Sequence, residues 1–508
     1  KFSAVGFEPQ TLSGYNIKNN ITLSLSIRMK ELVVSMEQLV VVGYGTQRKK
    51  DLTGSVSSVK SKEIADLAVT RIEQALLGKV AGVQVKPVSG EPGVSPQIRI
   101  RGIGSISAGA SPLYVVDGFP IGNIESLNPN DIESLDILKD ASATAIYGSR
   151  GSNGVIIINT KRGRAGKTKI SFDTYHGWQK VSKKPEMMNA REQAQYFYDG
   201  IKNRNIDEGN NITGAANTWT RPVPAIILDV LQGRNNYDVD ALNAVLVTAP
   251  QSQYQITASG GTENLKFALS GEYLNQDGIV LNSHFDRYSM RANLDAKLSP
   301  RLTVKINLNP SFTDKKALPV TGNQGENILG SAISVSNFYP LMDSAGNYLF
   351  FGGLAAQADF HNPLAIAREY QANQKGMRFL GNLDAEYKFS NAFSFRFLLG
   401  GSYINSKGMT FKPQLPVFFN NPAFGSDFSS ASYNWLTEYT LNYNKSFGLH
   451  QLSALGGFTA QKERGDLNSL SSNRYPNNLV PTLSAVSGLI TNGTSETYQW
   501  SMVSYLGR

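Results

Sequence analysis

The stretch PLYVVDGFPIGNIESLNPNDIESLDILKDASATAIYGSRGSNGVIIINTKRGR, Pro112 to Arg164, decides the fold. Tyr114-Val115-Val116 favours a strand and is stopped by Asp117-Gly118, a tight-turn pair. Asp140 stands where its carboxylate could cap a short helix over Ala141–Tyr147. Gly148, Gly151 and Gly154 suit the positive-φ conformations of a compact return loop. Val155–Ile158 is apolar on both faces and so belongs inside a sheet rather than on a surface. The segment reads as strand, turn, strand, short helix, glycine turn, strand: a small, buried, mixed sheet.

Beyond Thr168 the pattern changes to long alternating strands. In Leu265–Tyr273, Leu265, Phe267, Leu269 and Tyr273 alternate with Lys266, Ala268, Ser270 and Glu272. In Tyr288–Leu298 the apolar set is Tyr288, Met290, Ala292, Leu294, Ala296 and Leu298, and Ser289, Arg291, Asn293, Asp295 and Lys297 oppose it. Arg301–Asn309, Met377–Phe389, Phe393–Tyr403, Glu438–Asn444 and Leu449–Phe458 repeat the pattern. About ten such strands reach the length of a membrane-crossing strand, about 9–11 residues or more. Periodicity alone does not separate a lipid-facing barrel wall from a soluble β-sandwich, which alternates just as cleanly with its apolar face inward. Between strands, 182–250, 315–375 and 405–432 read as long loops, and Met188–Arg204 as a helix capped by Asn189 with Glu192 three residues on.

The 508 residues exceed one ordinary compact domain, although a closed barrel absorbs such a length. Cysteine is absent, which removes disulfides and thiolate metal sites. No apolar run reaches the roughly 18 residues of a transmembrane helix. The 47 glycines and 50 aromatics (24 Phe, 22 Tyr, 4 Trp) suit turn-rich β structure with interfacial aromatic girdles. Of the net charge of +9, residues 1–170 supply +7, from 21 Lys and Arg against 14 Asp and Glu. These cations are scattered among strands and form no stripe, so no nucleic-acid partner is expected.

Gly163-Arg164-Ala165-Gly166-Lys167-Thr168 has two residues between its glycines where a phosphate-binding loop has four, and it leads into a strand. It is a linker. His176, His284, His361 and His450 lack metal-ligand spacing, and no nucleophile–base arrangement stands out, so neither an enzyme nor a resident metal is expected. Asp207-Glu208-Gly209-Asn210-Asn211 and Asn235-Asn236-Tyr237-Asp238-Val239-Asp240 carry enough oxygen for Ca2+, as ordinary polar loops do. Among Trp178, Trp219, Trp435 and Trp500, the last two are expected in a girdle.

The wording of several segments resembles the SusC-like (RagA-like) family of TonB-dependent outer-membrane transporters of Bacteroidota. The match is carried by LYVVDG (113–118), ILKDASATAIYGSRG (137–151), GVIIINTK (154–161), EQLVVVGYGT (37–46), GKVAGV (78–83) and RIRG (99–102), then SGGTE (259–263) and YLNQDG (273–278). The resemblance implies a mainly β fold: a transmembrane antiparallel β-barrel, 22-stranded in the family and present here in part, with an N-terminal α/β plug domain in its lumen. It divides the chain into the end of an Ig-like, carboxypeptidase-regulatory-type domain (1–29), a linker with the TonB box (30–50), the plug (51–166) and the N-terminal part of the barrel (167–508). The 341 residues from Thr168 and the ending Ser504-Tyr505-Leu506-Gly507-Arg508 suit only part of a 22-strand barrel, and Lys1-Phe2-Ser3 is no signal peptide. The chain is therefore expected to be truncated at both ends.

By the same resemblance the protein is an energised nutrient importer of the bacterial outer membrane, for an oligosaccharide or a peptide. Its expected partners are a SusD-like surface lipoprotein acting as a lid, TonB with ExbB and ExbD, and outer-membrane lipid, in a dimer of transporter–lipoprotein pairs. The TonB box would be Glu37, Gln38, Leu39, Val40, Val41 and Val42, which offers its backbone to a partner's sheet edge and has no adjoining hairpin partner in the sequence reading. Arg99 and Arg101, two residues apart in IRIRG, would pair with wall carboxylates such as Glu272 or Glu438 and lock the plug. Two other functions fit less of the sequence: a receptor that also signals to an anti-sigma factor, and a soluble β-sandwich adhesin.

Overall fold

The computed structural model describes Ile27 and residues 39–41, 46–48, 56–65, 69–102, 109–320, 326–355, 360–418, 422–448, 450–487 and 490–508. The expected Ig-like remnant at 1–29 lies, except for Ile27, outside the described residues. A short antiparallel pair, β1 (Leu39–Val41) with β2 (Thr46–Arg48), comes first.

The N-terminal domain is built on β3 (Val56–Lys60), β4 (Val83–Lys86), β5 (Gln97–Ile100), β6 (Leu113–Val116), β7 (Phe119–Ile121), β8 (Ile132–Leu138) and β9 (Val155–Thr160). Five of these form a mixed sheet in the order β3-β8-β9-β6-β7, with β6 and β9 parallel, while β4 and β5 make a separate hairpin. Asp117 and Gly118 both take positive φ, +46° and +90°, as the β6–β7 hairpin turn requires. The Asp117 carboxylate then accepts from the Thr160 N–H (3.1 Å) and hydroxyl (2.7 Å), tying the turn to the end of β9. Val155–Ile158 is buried on both faces, as read from its sequence. The helix after Asp140 is shorter than expected: α1 being Ser61–Ala65, α2 covers only Ala141–Thr144 and passes into a 3-10 segment, Ala145–Gly151, broken at Gly148. The Asp140 side chain makes no cap bond there and pairs instead with Arg101.

Ten long strands follow: β10 (Gly166–Gln179), β11 (Ala249–Gly261), β12 (Leu265–Asp277), β13 (His284–Lys297), β14 (Leu302–Lys316), β15 (Gln371–Lys388), β16 (Phe393–Lys412), β17 (Phe424–Phe447), β18 (His450–Ser472) and β19 (Asn492–Gly507). Each pairs antiparallel with the next, so they form one ten-stranded wall, a partial barrel, in chain order. Connections at one end are short, 262–264, 298–301, 389–392 and the step from Phe447 to His450; those at the other include 180–248, 317–370 and 473–491. Residues 405–432, read as a loop, are instead mostly strand on either side of the connection 413–423. The sequence there alternates small and polar residues rather than large apolar ones, which hid the strands.

Which face of the wall is apolar settles what periodicity left open. On β13, Tyr288 and Met290 point out and are 48% and 65% exposed, whereas Arg287, Ser289, Arg291 and Asn293 point in and are buried. Leu269, Leu308, Phe379, Leu399, Tyr433 and Trp435 repeat the outward pattern, and Glu272, Asn307, Asn382, Asn434 and Glu438 the inward one. A soluble sandwich does the reverse, so this is the wall of a transmembrane barrel. Two aromatic rows border the apolar band: Tyr254, Tyr273, Tyr288 and Phe312 toward the long loops, and Phe397, Tyr439, Phe458 and Tyr505 toward the short turns.

The long connections fold as well. α3 (Ala190–Asp207) carries the expected capping box, with Asn189 and Glu192 exchanging bonds of 2.9 Å. It packs on α4 (Ala225–Leu231) around Trp219, Ile227 and Phe338. α5 (Ala241–Val245), α6 (Ile328–Ser334) and α7 (Pro363–Glu369) share a second core with Phe351 and Phe418.

Leu308 lies on the outward face between the two aromatic rows, so Leu308→Arg should cost about 2–4 kcal/mol of stability in lipid vesicles, read from urea unfolding. A loss below about 0.5 kcal/mol, the ordinary scale of surface substitutions, would mean that this face meets water.

Candidate functional site at the plug–wall interface

The inward polar face of the wall needs partners wherever it is buried, and the N-terminal domain, seated against it, supplies them. Arg287, fully buried, holds Glu272 with two bonds of 3.1 and 2.8 Å and donates a third, 3.0 Å, to the Thr70 carbonyl of the plug. Ser289 (2.7 Å) and Gln253 (2.6 Å) complete the shell of Glu272. The pair is dry but fully hydrogen-bonded, the one arrangement in which buried charge is tolerated.

A second cluster centres on the plug's Asp131, which accepts from Ser270 (2.9 Å) and Gln255 (3.1 Å) and pairs with Arg291 (3.3 Å). Asn293 donates to the Thr160 hydroxyl (2.7 Å) and the Lys161 carbonyl (2.8 Å), where Arg291 also donates. Arg162, at the exit from the plug, reaches Asp295 and Asn307 on the wall. Farther round, Asn382 bonds the Asp117 carbonyl (3.2 Å), Arg378 bonds Asn123 twice (2.6 and 2.8 Å), Lys315 pairs with Glu91 (2.9 Å), and Arg150 bonds Gln461. Apolar contacts also join the two parts. Phe119 packs with Leu380, Leu398 and Leu436 of the wall. Gly400 makes room for it, since a Cβ there would lie 2.2 Å from the Phe119 ring.

The lock therefore runs through residues other than those expected. Arg101 sits beyond the end of β5 in a left-handed conformation, φ +56°, and pairs with Asp140 inside the plug. Arg99 donates to Gln97 (3.1 Å). The wall carboxylates assigned to them are taken: Glu272 by Arg287, and Glu438 by Arg396 at 3.6 Å. Spacing of two suggested one strand face, but the backbone turns before Arg101. The interface residues Arg287, Arg291 and Arg378 were visible only as polar members of alternating strands. Each of them also donates to a backbone carbonyl far along the chain, of Thr70, Lys161 or Asn123, which leaves no mark in a sequence.

Of the expected TonB box, Leu39, Val40 and Val41 form β1, while Glu37, Gln38 and Val42 lie outside the described residues. A hairpin partner does adjoin it, contrary to the sequence reading: Leu39, Val40 and Val41 register against Arg48, Gln47 and Thr46. Trp435 faces outward, but Trp500 turns inward beneath the Arg150 guanidinium, 5.7 Å from the ring centre, and leaves the girdle.

The oxygen-rich loops are engaged by nitrogen donors. Glu208 accepts from Arg221, Arg204 and Asn210, and the Arg221 and Arg204 guanidinium groups hold its carboxyl down to about 2. Asp238 accepts from the Ala190 N–H, and Asp240 caps α5 through the Asn243 N–H. Among the described residues no group of three or more His, Asp or Glu side chains is placed to hold a metal ion.

Residues 48–155 match the family described as TonB-dependent Receptor Plug Domain. Over all of its length the chain is 33% identical to TonB-dependent receptor P3 of Formosa agariphila, covering 48% of that protein. It is 30% identical over 90% of its length to TonB-dependent receptor SusC of Bacteroides thetaiotaomicron, covering 45% of it. The chain thus spans about half the length of the curated relatives it matches. Among solved structures, the RagAB peptide importer in its open-open state superposes with a TM-score of 0.78 at 26% identity, over 92% of this chain and 54% of that one.

Glu272→Ala strands the Arg287 charge, so hydrogen exchange around Thr70 should report a local loss of about 3–5 kcal/mol; a change under about 1 kcal/mol would show the pair to be dispensable. The Glu208 cluster gives a pH prediction. Its folded carboxyl sits below the ordinary value of about 4.3, so the pairing is intact above that pH and is lost as pH falls toward 2. Pepsin should spare residues 205–221 at about pH 4 and cut them near pH 2, and cutting already at pH 4 would contradict the assignment.

Proposed function

This chain belongs to the SusC-like (RagA-like) family of TonB-dependent transporters, and from that premise we propose that it forms the plug and part of the wall of an importer that carries a nutrient across the bacterial outer membrane. The observation that carries the reading is a wall apolar outside and polar inside, whose lumen is filled by a plug held through polar contacts. A plug bound by hydrogen bonds can be displaced, because water replaces each bond as it breaks; a plug bound by a large apolar interface could not be moved so cheaply. A soluble adhesin would not present Leu308, Phe379 and Trp435 to solvent.

The energy would come from TonB, with ExbB and ExbD, pairing with the backbone of the Leu39–Val41 segment. The β1–β2 pair leaves an outer edge on β1 that could accept a further strand, so its hairpin partner does not block strand addition. Tension applied there reaches the mixed sheet at β3, about 15 residues on, and among the described residues β3 is an edge strand paired only with β8. Past β3 and α1, the chain meets Thr70, whose carbonyl Arg287 holds. The plug segment before Thr70 is therefore the part that load would free first. The two packed helical cores of the long connections provide a firm rim on which a SusD-like lipoprotein lid would close. The RagAB peptide importer offers a precedent for peptide cargo; cargo for this chain is an oligosaccharide or a peptide.

The test is a transporter carrying Val41→Pro, which deletes one backbone donor from the pairing segment. It should still bind cargo at the cell surface and lose energised uptake. Uptake at the wild-type rate would remove Leu39–Val41 as the coupling site.

A further inference from the structure

Four arginines of the described structure are buried: Arg71, Arg287, Arg291 and Arg378. Two have carboxylates, Glu272 for Arg287 and Asp131 for Arg291. The other two, Arg71 on the plug and Arg378 on β15, have no carboxylate at ion-pair distance among the described residues. Both line one cavity of about 370 Å3 between the plug loops 93–95 and 123–126 and strands β13–β16. Lys315, Gln374 and Ser406 place it toward the long-loop end of the wall.

The forks of both guanidinium groups are occupied by neutral oxygens. Arg71 donates to the Glu125 carbonyl (2.7 Å), Ser95 (3.2 Å) and the Gly93 carbonyl, and Arg378 to Asn123. Each is left with a buried Nε–H lacking an acceptor, and the buried Ser126 hydroxyl on the same cavity also lacks a partner. Arg71 is 4% exposed and Arg378 6%, so bulk water does not screen them. Unmatched donors and buried cations at one cavity call for an anionic oxygen ligand.

Charge narrows the class. Arg71, Arg378 and Lys315 face Glu125 and Glu91, leaving one positive charge for a monoanion to neutralise. Glu73, the other acid near Arg71, does not line the cavity, and burial pushes its carboxyl up. The remaining lining of Ser95, Asn123, Ser311, Thr313, Gln374 and Ser406 suits a ligand rich in hydroxyl or amide groups. We propose that this cavity binds a carboxylate of the imported solute between Arg71 and Arg378, which makes the preferred cargo acidic: a uronate-bearing oligosaccharide or a peptide with a free C-terminus. The proposal rests on the importer reading and adds the substrate chemistry to it.

Calorimetry on the whole transporter in detergent tests it with two pairs of probes: trigalacturonate against its methyl ester, and N-acetyl-trialanine against N-acetyl-trialanine amide. One acid should bind at least about tenfold more tightly than its neutral partner, and which one does so identifies the source of the carboxylate. Arg378→Gln should remove that preference, and Ser126→Ala, which removes only a hydroxyl, should weaken the acid alone. Equal binding of acid and neutral forms, no binding of either acid, or an unchanged preference in Ser126→Ala would overturn the proposal. Energised uptake of a neutral solute by the same protein would leave the importer reading standing while this one fell.

Discussion

A sheet that faces hydrocarbon on one side has to carry its polar side chains on the other. Once the lumen is filled, those side chains are buried and each needs a partner. The contacts between wall and plug follow from that constraint. Arg287 reaches the Thr70 carbonyl, Arg291 and Asn293 the Lys161 carbonyl, Asn382 the Asp117 carbonyl and Arg378 the Asn123 carbonyl. Five wall donors end on plug backbone. Such bonds are indifferent to plug side chains and are individually modest, about 0.5–3 kcal/mol depending on charge. They hold the plug in register while leaving each contact replaceable by water. The apolar patch around Phe119 adds the burial of one ring, about 2–3 kcal/mol, and a geometric stop in the notch left by Gly400.

Local chemistry was legible in the sequence to the extent that it is local. Asp117-Gly118 makes the turn its dipeptide announces, Val155–Ile158 is buried on both faces, and Asn189 with Glu192 closes its capping box. The ten strands were visible as a period but not as a polarity, because alternation is symmetric between inside and outside; the plug in the lumen decides which face is wet or dry. Readings that depended on distant geometry failed for one reason. Arg99 and Arg101 were paired with Glu272 and Glu438 on the assumption of a continuing strand, whereas the left-handed Arg101 redirects its side chain to Asp140. Trp500 was placed by residue type, and its inward turn is set by register: it lies opposite Glu463 on β18, which bonds the inward Asn434 (2.8 Å).

Two classes of wall arginine emerge. Arg287 and Arg291 are paired with fixed carboxylates, Glu272 and Asp131. Arg378, on β15, gives its fork to the two oxygens of Asn123 and keeps a buried Nε–H without an acceptor and, among the described residues, no carboxylate at ion-pair distance. Hydrogen bonding and charge balance are separate requirements of a buried guanidinium, and at Arg378 both are left incomplete.

Adjacent residues join these two regions. Thr70 gives its carbonyl to Arg287 on the wall, and Arg71, the next residue, spans the cavity floor to the Gly93 and Glu125 carbonyls at the plug apex. Any shift of the apex loops must therefore pull on Arg71 and load the Thr70 contact through a single peptide unit. The segment on the other side of that contact holds α1 and the edge strand β3, joined to the rest of its sheet along one side only. An edge strand loses fewer bonds on release than a central one, so β3 is less secured than the central β8 and β9. Thr70 and Arg71 are thus the point where the wall, the loops 93–95 and 123–126 and the segment that follows β3 and α1 meet.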